Sequence, residues 1–400
     1  MAFVYACLVL TFDAEIEFDR ANEEHFFSSI PSHAGIFLVE TRAATEGAEA
    51  KPYLARTADL RRAAERLLRP PDATSKRLNL REVAQGFRYR ATGSRFEQAL
   101  ALYQHARVRF PGRYRSFLNL RPAALLKVSL RNSYPRCYVT RRILGDGGYH
   151  FGPFPSRQMA ESFANQFLDL FKIRRCQFKI LRDPDFPGCI YSEMKMCLAP
   201  CFAGCTKEEY DAEVHRVVET LESSGSFLTG GIEREREAAS EEMDFERAAA
   251  LHKKLEKVTA VLRGLPEVAR RIDAINAVVL QRAAQEQTVG IFAIVNGRIA
   301  EPFFFCFDDL SSEPRSVEEI IRQHFKKLES EKIFHEFGAQ GKIIEGNAES
   351  AAEREEHLSL LARWFYSKPR AGEILFRDAD WPYRKILRAC ARVLAAGETA

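Results

Sequence analysis

A multidomain α/β (α+β) chain is what this sequence predicts, and three observations predict it. Strand-like apolar runs alternate with segments of helical period. Two helix-forming stretches follow one another with only a short break. At 400 residues, 46% hydrophobic and 28% charged, the composition is that of an ordinary globular chain, and the length suits roughly two to four domains.

The start, "MAFVYACLVL", is apolar, but no Lys or Arg precedes it and acidic residues follow at once. It is too short for a membrane span and lacks a signal peptide's basic start. It reads as a β-strand of a cytoplasmic protein with no membrane partner, within an N-terminal extension over residues 1–30. Residues 31–55 read as two strands around a polar loop. Residues 56–69 read as a basic helix with Leu60, Ala63, Ala64 and Leu67 on one face. Residues 94–110 read as another helix, with Ser94 as N-cap, Glu97 three residues on, and Pro111–Gly112 ending it.

From His105 to Arg142 there are ten Arg or Lys residues and no Asp or Glu. Tyr114, Phe117, Tyr134 and Tyr138 are interleaved. Cations there neutralise phosphates and aromatics stack on unpaired bases. The stretch therefore points to nucleic acid, against a solvated basic face as the plain alternative. The cations assigned to DNA are Arg61, Arg62, Arg107, Arg109, Arg113, Arg115, Lys127, Arg131, Arg141 and Arg142.

Four of the nine cysteines, Cys176, Cys189, Cys197 and Cys201, stand at spacings of twelve, seven and three intervening residues, and Cys205 follows. Disulfides rarely persist in a reducing cytosol, so the quartet reads as a metal site, zinc or iron–sulfur. Pro184, Pro187 and Gly188 suit a chain wrapping around an ion. Buried cysteines without metal are the alternative, and spacing alone does not choose the metal.

Thr206 and Glu209 form a capping box that opens a helix running to the Ser/Gly stretch at 223–226. A helical pair follows, its second arm capped by Asp244. It either packs on the body of the protein or docks against a partner's matching hairpin. From 271 onward "IDAINAVVLQR", "TVGIFAIVNGRIA" and "EPFFFCFD" read as strands, "VEEIIRQHFKKLES" and "EREEHLSLLARWFY" as helices, and "GKIIEGN" and "GEILF" as short strands. Cys306 reads as a core residue.

Several stretches together resemble the UvrC family, the nuclease subunit of bacterial nucleotide-excision repair. They are "AGIF" with "YLARTADLRR", "NSYPRCYVTRR", "YHFGPFPS", the cysteines ending "CLAPC", "EEMDFERAAALHKKL" and "VGIFAIVNGRIAEPFFF". The resemblance implies a GIY-YIG nuclease-like domain with a small mixed sheet at 31–120, a basic and cysteine-rich region at 121–205, a connecting helix at 206–226, a UVR helical hairpin at 227–265 and a C-terminal α/β module at 266–400. It implies a [4Fe-4S] cluster on the four cysteines, with zinc as the alternative. It also implies contact with UvrB, or another UVR-domain partner, through Phe245, Glu246, Arg247, Ala248 and Ala249.

The resemblance also marks departures. Phe37 stands at the first nuclease tyrosine. The second is kept as Tyr53, but the glycine after it is Ala55. Arg56 replaces a Lys, Ala63 an Arg, and Leu102 the metal-binding Glu. Arg115 falls near an Asn position. An apolar side chain cannot ligate a hard dication, so Tyr53 and Arg56 are remnants and Mg²⁺ is not expected. The family's second nuclease domain and helix-hairpin-helix tail are also expected to be absent. The expectation is a binding protein that does not cut. The rival is a single-incision endonuclease whose carboxylate comes from Glu97 or Glu65.

Overall fold

The computed structural model describes residues 11–43, 50–71, 74, 76–143, 147–308, 316–330 and 348–396. The strand expected at the extreme N-terminus and that at "GKIIEGN" lie outside these residues. Strands β1 (Ala14–Glu17), β2 (Gly35–Thr41), β3 (Tyr53–Thr57) and β4 (Ala84–Ala91) form a sheet in the order β1-β4-β2-β3, antiparallel at each pairing. The region read as an N-terminal extension therefore contributes β1, and also α1 (Glu23–Ser29).

Helix α2 (Leu60–Leu68) begins four residues later than its periodicity predicts. Arg56 and Thr57 stay in β3, paired with Ile36 and Gly35, and the Asp59 carboxylate caps the helix by accepting the Arg62 N–H. With α1 it buries Phe26, Phe27, Leu60, Ala64 and Leu67 against Phe37, Val39 and Phe87 on one face of the sheet. The opposite face carries Ile36, Leu38 and Leu54, covered by α3 (Arg95–Arg109), with the short α4 (Tyr114–Leu118) after it.

A second antiparallel sheet runs β6-β5-β7-β8 from β5 (Ala124–Val128), β6 (Cys137–Thr140), β7 (Tyr149–Phe154) and β8 (Arg270–Arg271). Its core joins Leu126, Val128 and Phe151 to α5 (Arg157–Leu168) and, beyond the short α6 (Ile190–Glu193) of the cysteine loop, to α7 (Lys207–Glu222). Both capping-box bonds at Thr206 and Glu209 form. The hairpin α8 (Ser226–Glu241) and α9 (Phe245–Leu262) packs on this core through Leu228, Ile232, Ala239, Leu251 and Val258. Asp244 caps α9 through the Arg247 N–H.

The third sheet contains β9 (Ala277–Arg282), β10 (Thr288–Val295), β11 (Arg298–Ile299), β12 (Phe303–Cys306) and β13 (Glu373–Phe376). Around it lie α10 (Val317–Ser330), α11 (Ala348–Phe365) and α12 (Tyr383–Ala395). One face packs Val289, Ile291 and Ala293 against Phe325, Trp381, Ile386 and Cys390. The other packs Val279, Phe292 and Ile294 into the core that contains α3 and α11. First and third sheets thus share one apolar interior. Their backbones nearly touch at Gly93, where an added Cβ would stand 2.2 Å from the Ala283 carbonyl carbon. Among the described residues no helix is long and apolar enough to cross a membrane.

Candidate functional site

The positions that the resemblance assigns to a nuclease site fall on both faces of the first sheet. Side chains alternate across a strand, so Tyr53 and Ala55 join the face covered by α1 and α2 while Leu54 and Arg56 point to the α3 face. Tyr53 lies 6.1 Å, ring to ring, from Phe37, which is 1% exposed and stacked on Phe87 at 5.2 Å. Leu102 is 3% exposed within the interior that α3 shares with Val279, Phe292, Leu358 and Trp364. Ala63 lies on the buried face of α2. Glu65 on the same helix pairs with Arg69 at 3.3 Å.

Glu97 is 4% exposed on the α3 side, across the sheet from Tyr53. Its carboxylate accepts the Gly93 N–H at 2.8 Å, and Arg90 stands 3.8 Å away. Beside it Asp13, Arg90, Thr288 and Phe304 line a cavity of about 390 Å³ at the junction with the third sheet. Burial pushes the Glu97 carboxyl up to about 7, against the pull of the Gly93 N–H and Arg90. A folded-state value above the ordinary 4.5 means the native state holds the proton longer. The stabilisation is therefore full below about pH 4.5 and is lost as pH rises through about 7, by roughly 3 kcal/mol. Denaturant unfolding from pH 4.5 to 8 should show this decline, and Glu97→Gln should flatten it.

The basic stretch divides into engaged and outward cations. Arg61 donates to the Ile30 and Ser28 carbonyls, and Lys127 is 1% exposed inside the second sheet, which removes it from any phosphate-binding face. Arg109 grips both oxygens of Glu40 at 2.9 and 2.8 Å. Arg107 pairs with Glu353, and Arg115 with Glu356 at 2.7 Å. Glu356 also accepts the Tyr103 and Tyr114 hydroxyls, each at 2.7 Å, and Glu355 accepts the Ile143 N–H at 2.5 Å. The acidic run of α11 thus neutralises part of a stretch lying over 200 residues earlier in the chain. Its signal in the sequence is "EREEH", opposite in sign to the stretch it meets.

Arg113, Arg131, Arg141 and Arg142 are exposed, with no ion pair among the described residues, and Arg62 is exposed beside Asp59. Arg131 lines a groove of about 650 Å³ with Tyr149, Lys207, His215 and Arg271. In that groove Lys207 is paired with Asp211, and Arg271 with Glu222 and Asp273. Of the aromatics, Tyr134 is buried against Tyr210, and Phe117 is stacked on Phe110.

The cysteine loop has the backbone of a wrapped segment. Lys195, Ala199 and Ala203 hold φ of 56°, 54° and 61°, and Gly188 holds 82°. Such conformations persist only where surroundings enforce them. Cys197 feels Cys176, Cys189 and Cys201 in its electrostatic field; burial first, and these neighbours after it, push its thiol up to about 11. The Ala199 N–H donates to Cys197 Sγ at 3.3 Å, and Arg174 Nη1 lies 3.8 Å from Cys176 Sγ. Among the described residues no three His, Cys, Asp or Glu side chains enclose a metal-sized point. Soft thiols, mutual proximity and N–H donors to sulfur are the donor chemistry of a cluster site. Arg174 is the residue that sequence reading missed here.

At the far end of the hairpin Met243 is 76% and Phe245 69% exposed, with Glu246, Arg247 and Ala249 also exposed and Ala248 half-buried. The sequence left open whether the hairpin packs on the body or docks against a partner's hairpin; it packs on the body, and its turn is exposed.

Residues 124–220 match the family model described as "UvrC/Cho excinuclease, middle domain", a span from β5 to the end of α7. The chain is similar to the UvrABC system protein C of Carboxydothermus hydrogenoformans, 30% identical over 52% of this chain and 35% of that protein. The corresponding protein of Ruminiclostridium cellulolyticum is 26% identical over 51% of this chain and 34% of the relative. That of Moorella thermoacetica is 24% identical over 76% of this chain and 49% of the relative. The chain thus spans at most about half the length of these curated relatives. No solved structure matches it.

Proposed function

We propose that this UvrC-like chain serves nucleotide-excision DNA repair as a DNA- and partner-binding protein whose GIY-YIG-like module does not cut. One observation carries the reading: Leu102, where the resemblance places the metal-binding carboxylate, is sealed in an apolar interior shared with the third sheet. The rival, an active metal-dependent endonuclease with relocated ligands, draws no support from Glu97, which lies across the sheet from Tyr53, or from Glu65, which is engaged by Arg69. A metal-dependent nicking assay on supercoiled and branched DNA decides between them.

Cys176, Cys189, Cys197 and Cys201 would hold a [4Fe-4S] cluster, which supplies one-electron chemistry and ties the loop to the second sheet. Zinc is the alternative. The bare tip at Phe245, Glu246 and Arg247 is the surface for UvrB or another UVR-domain partner.

DNA is met by the outward cations. Arg131→Ala, Arg141→Ala and Arg142→Ala should each weaken binding to a labelled duplex and reduce the slope of log K against log salt by about 0.9 for each phosphate no longer neutralised. Fluorescence anisotropy across a salt series reads both. Salt-independent binding would remove DNA from the proposal.

A further inference from the structure

We infer that Arg174 is the cationic partner of the cysteine quartet: its guanidinium balances the Cys176 thiolate and, through it, the anionic group the four thiolates hold. The inference rests on the cluster reading above and adds a charge relationship to it. Arg174 is 4% exposed. A guanidinium keeps its proton in any protein interior, so this is a permanent buried charge. Its Nε donates to the Tyr134 carbonyl at 2.7 Å, and its Nη1 donates to the Phe178 carbonyl at 2.7 Å. The same Nη1 reaches the Cys176 carbonyl at 3.4 Å and Cys176 Sγ at 3.8 Å. Carbonyls satisfy the hydrogens but carry no net charge.

Among the described residues no Asp or Glu pairs with Arg174. The buried carboxylate of Glu213 on α7 is already taken, by the Lys172 N–H and by Arg216, each at 2.7 Å. The neighbouring Arg175 makes the contrast: it pairs with the Asp169 carboxylate at 2.7 Å. A buried cation left without an anion costs several kcal/mol. The Cys176 sulfur is the one acceptor around Arg174 that becomes an anion, as it must on ligating a metal. The site is also held rigidly. The Arg174 N–H donates to the Tyr210 hydroxyl at 3.0 Å, and that hydroxyl donates to the Pro135 carbonyl at 2.7 Å. These bonds fix the Arg174 main chain, and the Nε bond to Tyr134 fixes its guanidinium, to the body of the protein before the loop begins.

A positive charge beside a cluster favours its reduced form, because net charge and hydrogen bonds to sulfur set the potential. The test uses the full chain purified anaerobically and reconstituted with ferrous iron and sulfide. Wild type, Arg174→Gln and Arg174→Lys are compared by iron and sulfide content, electron paramagnetic resonance and midpoint potential, with folding checked by circular dichroism. Arg174→Gln should shift the midpoint to more negative potential and shorten the cluster's lifetime in air; Arg174→Lys, which keeps the charge, should stay closer to wild type. Arg174→Met replaces the Gln variant if that one fails to fold. A wild-type protein that takes up no iron overturns the cluster reading itself. A loaded wild type whose potential is unchanged in the neutral variants, or moves equally in the Lys variant, overturns the role of Arg174 and leaves the cluster standing.

Discussion

Supercoiled or branched duplex DNA incubated with this protein and Mg²⁺ or Mn²⁺ should stay uncut, and Leu102→Glu should not confer cutting. Phosphoryl transfer depends on metal and cations aimed at developing charge, and loss of one such group typically costs about a hundred- to a thousandfold in rate. The positions that the resemblance assigns to the carboxylate, one tyrosine and the arginine are all apolar here, at Leu102, Phe37 and Ala63. Restoring the carboxylate alone places it at a site 3% exposed, in the apolar cluster that holds Phe96, Phe292, Leu358 and Trp364. Burying an unpaired carboxylate and deleting a packed leucine each cost several kcal/mol. Leu102→Glu should therefore lower stability by about 3–5 kcal/mol, a large share of a typical domain's total. Leu102→Met should cost under about 1.5 kcal/mol. Chemical denaturation and the nicking assay, run on the same preparations, check both halves. Metal-dependent nicking by the wild type that Tyr53→Phe abolishes would falsify the non-cutting reading.

The local structure was legible in the sequence, and the reason is physical. Capping at Ser94, Thr206 and Asp244 depends on residues within three positions of each other, and all three caps form. The strands at 277–282 and 288–295 announce themselves as runs of Val, Ile and Phe. Helix α12 went unread although Ile386, Ala389, Cys390 and Val393 carry a helical period, because Arg and Lys between them mask it. What the sequence hides is pairing at long range. Nothing near Lys127 says that this one cation of the basic stretch is buried. Nothing near Arg107 or Arg115 names Glu353 or Glu356 as partner, since those pairs depend on how the third sheet seats against α3. Composition counted ten cations; the fold leaves fewer of them facing outward. Arg174 was hidden for the same cause: its acceptors are at Tyr134, on the other side of the second module, and at Cys176 and Phe178.

Glu356→Ala should destabilise the protein and strengthen its grip on DNA at once. The Glu356 carboxylate, 6% exposed, accepts from Tyr103, Tyr114 and Arg115, and Tyr103 is itself 1% exposed. Removing the acceptor leaves a fully buried hydroxyl without it and ends the pairing of a guanidinium whose side chain is 61% exposed. The arginine regains water cheaply, so the loss falls mainly on the tyrosines and should total about 2–4 kcal/mol. Tyr103→Phe combined with Glu356→Ala in a double-mutant cycle should show coupling of about 0.5–3 kcal/mol, because the two groups act as one unit. Glu356→Gln keeps an acceptor and should lose less. Arg115, released from its carboxylate, becomes available to phosphate, and the variant also loses one negative charge. Its affinity for a non-specific duplex should therefore rise and its salt slope steepen by about 0.9. Stability and DNA affinity moving in opposite directions is the signature of an acidic helix standing where phosphates would otherwise bind. An Ala variant as stable as wild type would show that α11 does not hold α3 through this carboxylate, and one that binds DNA no more tightly would show that Glu356 does not compete for Arg115.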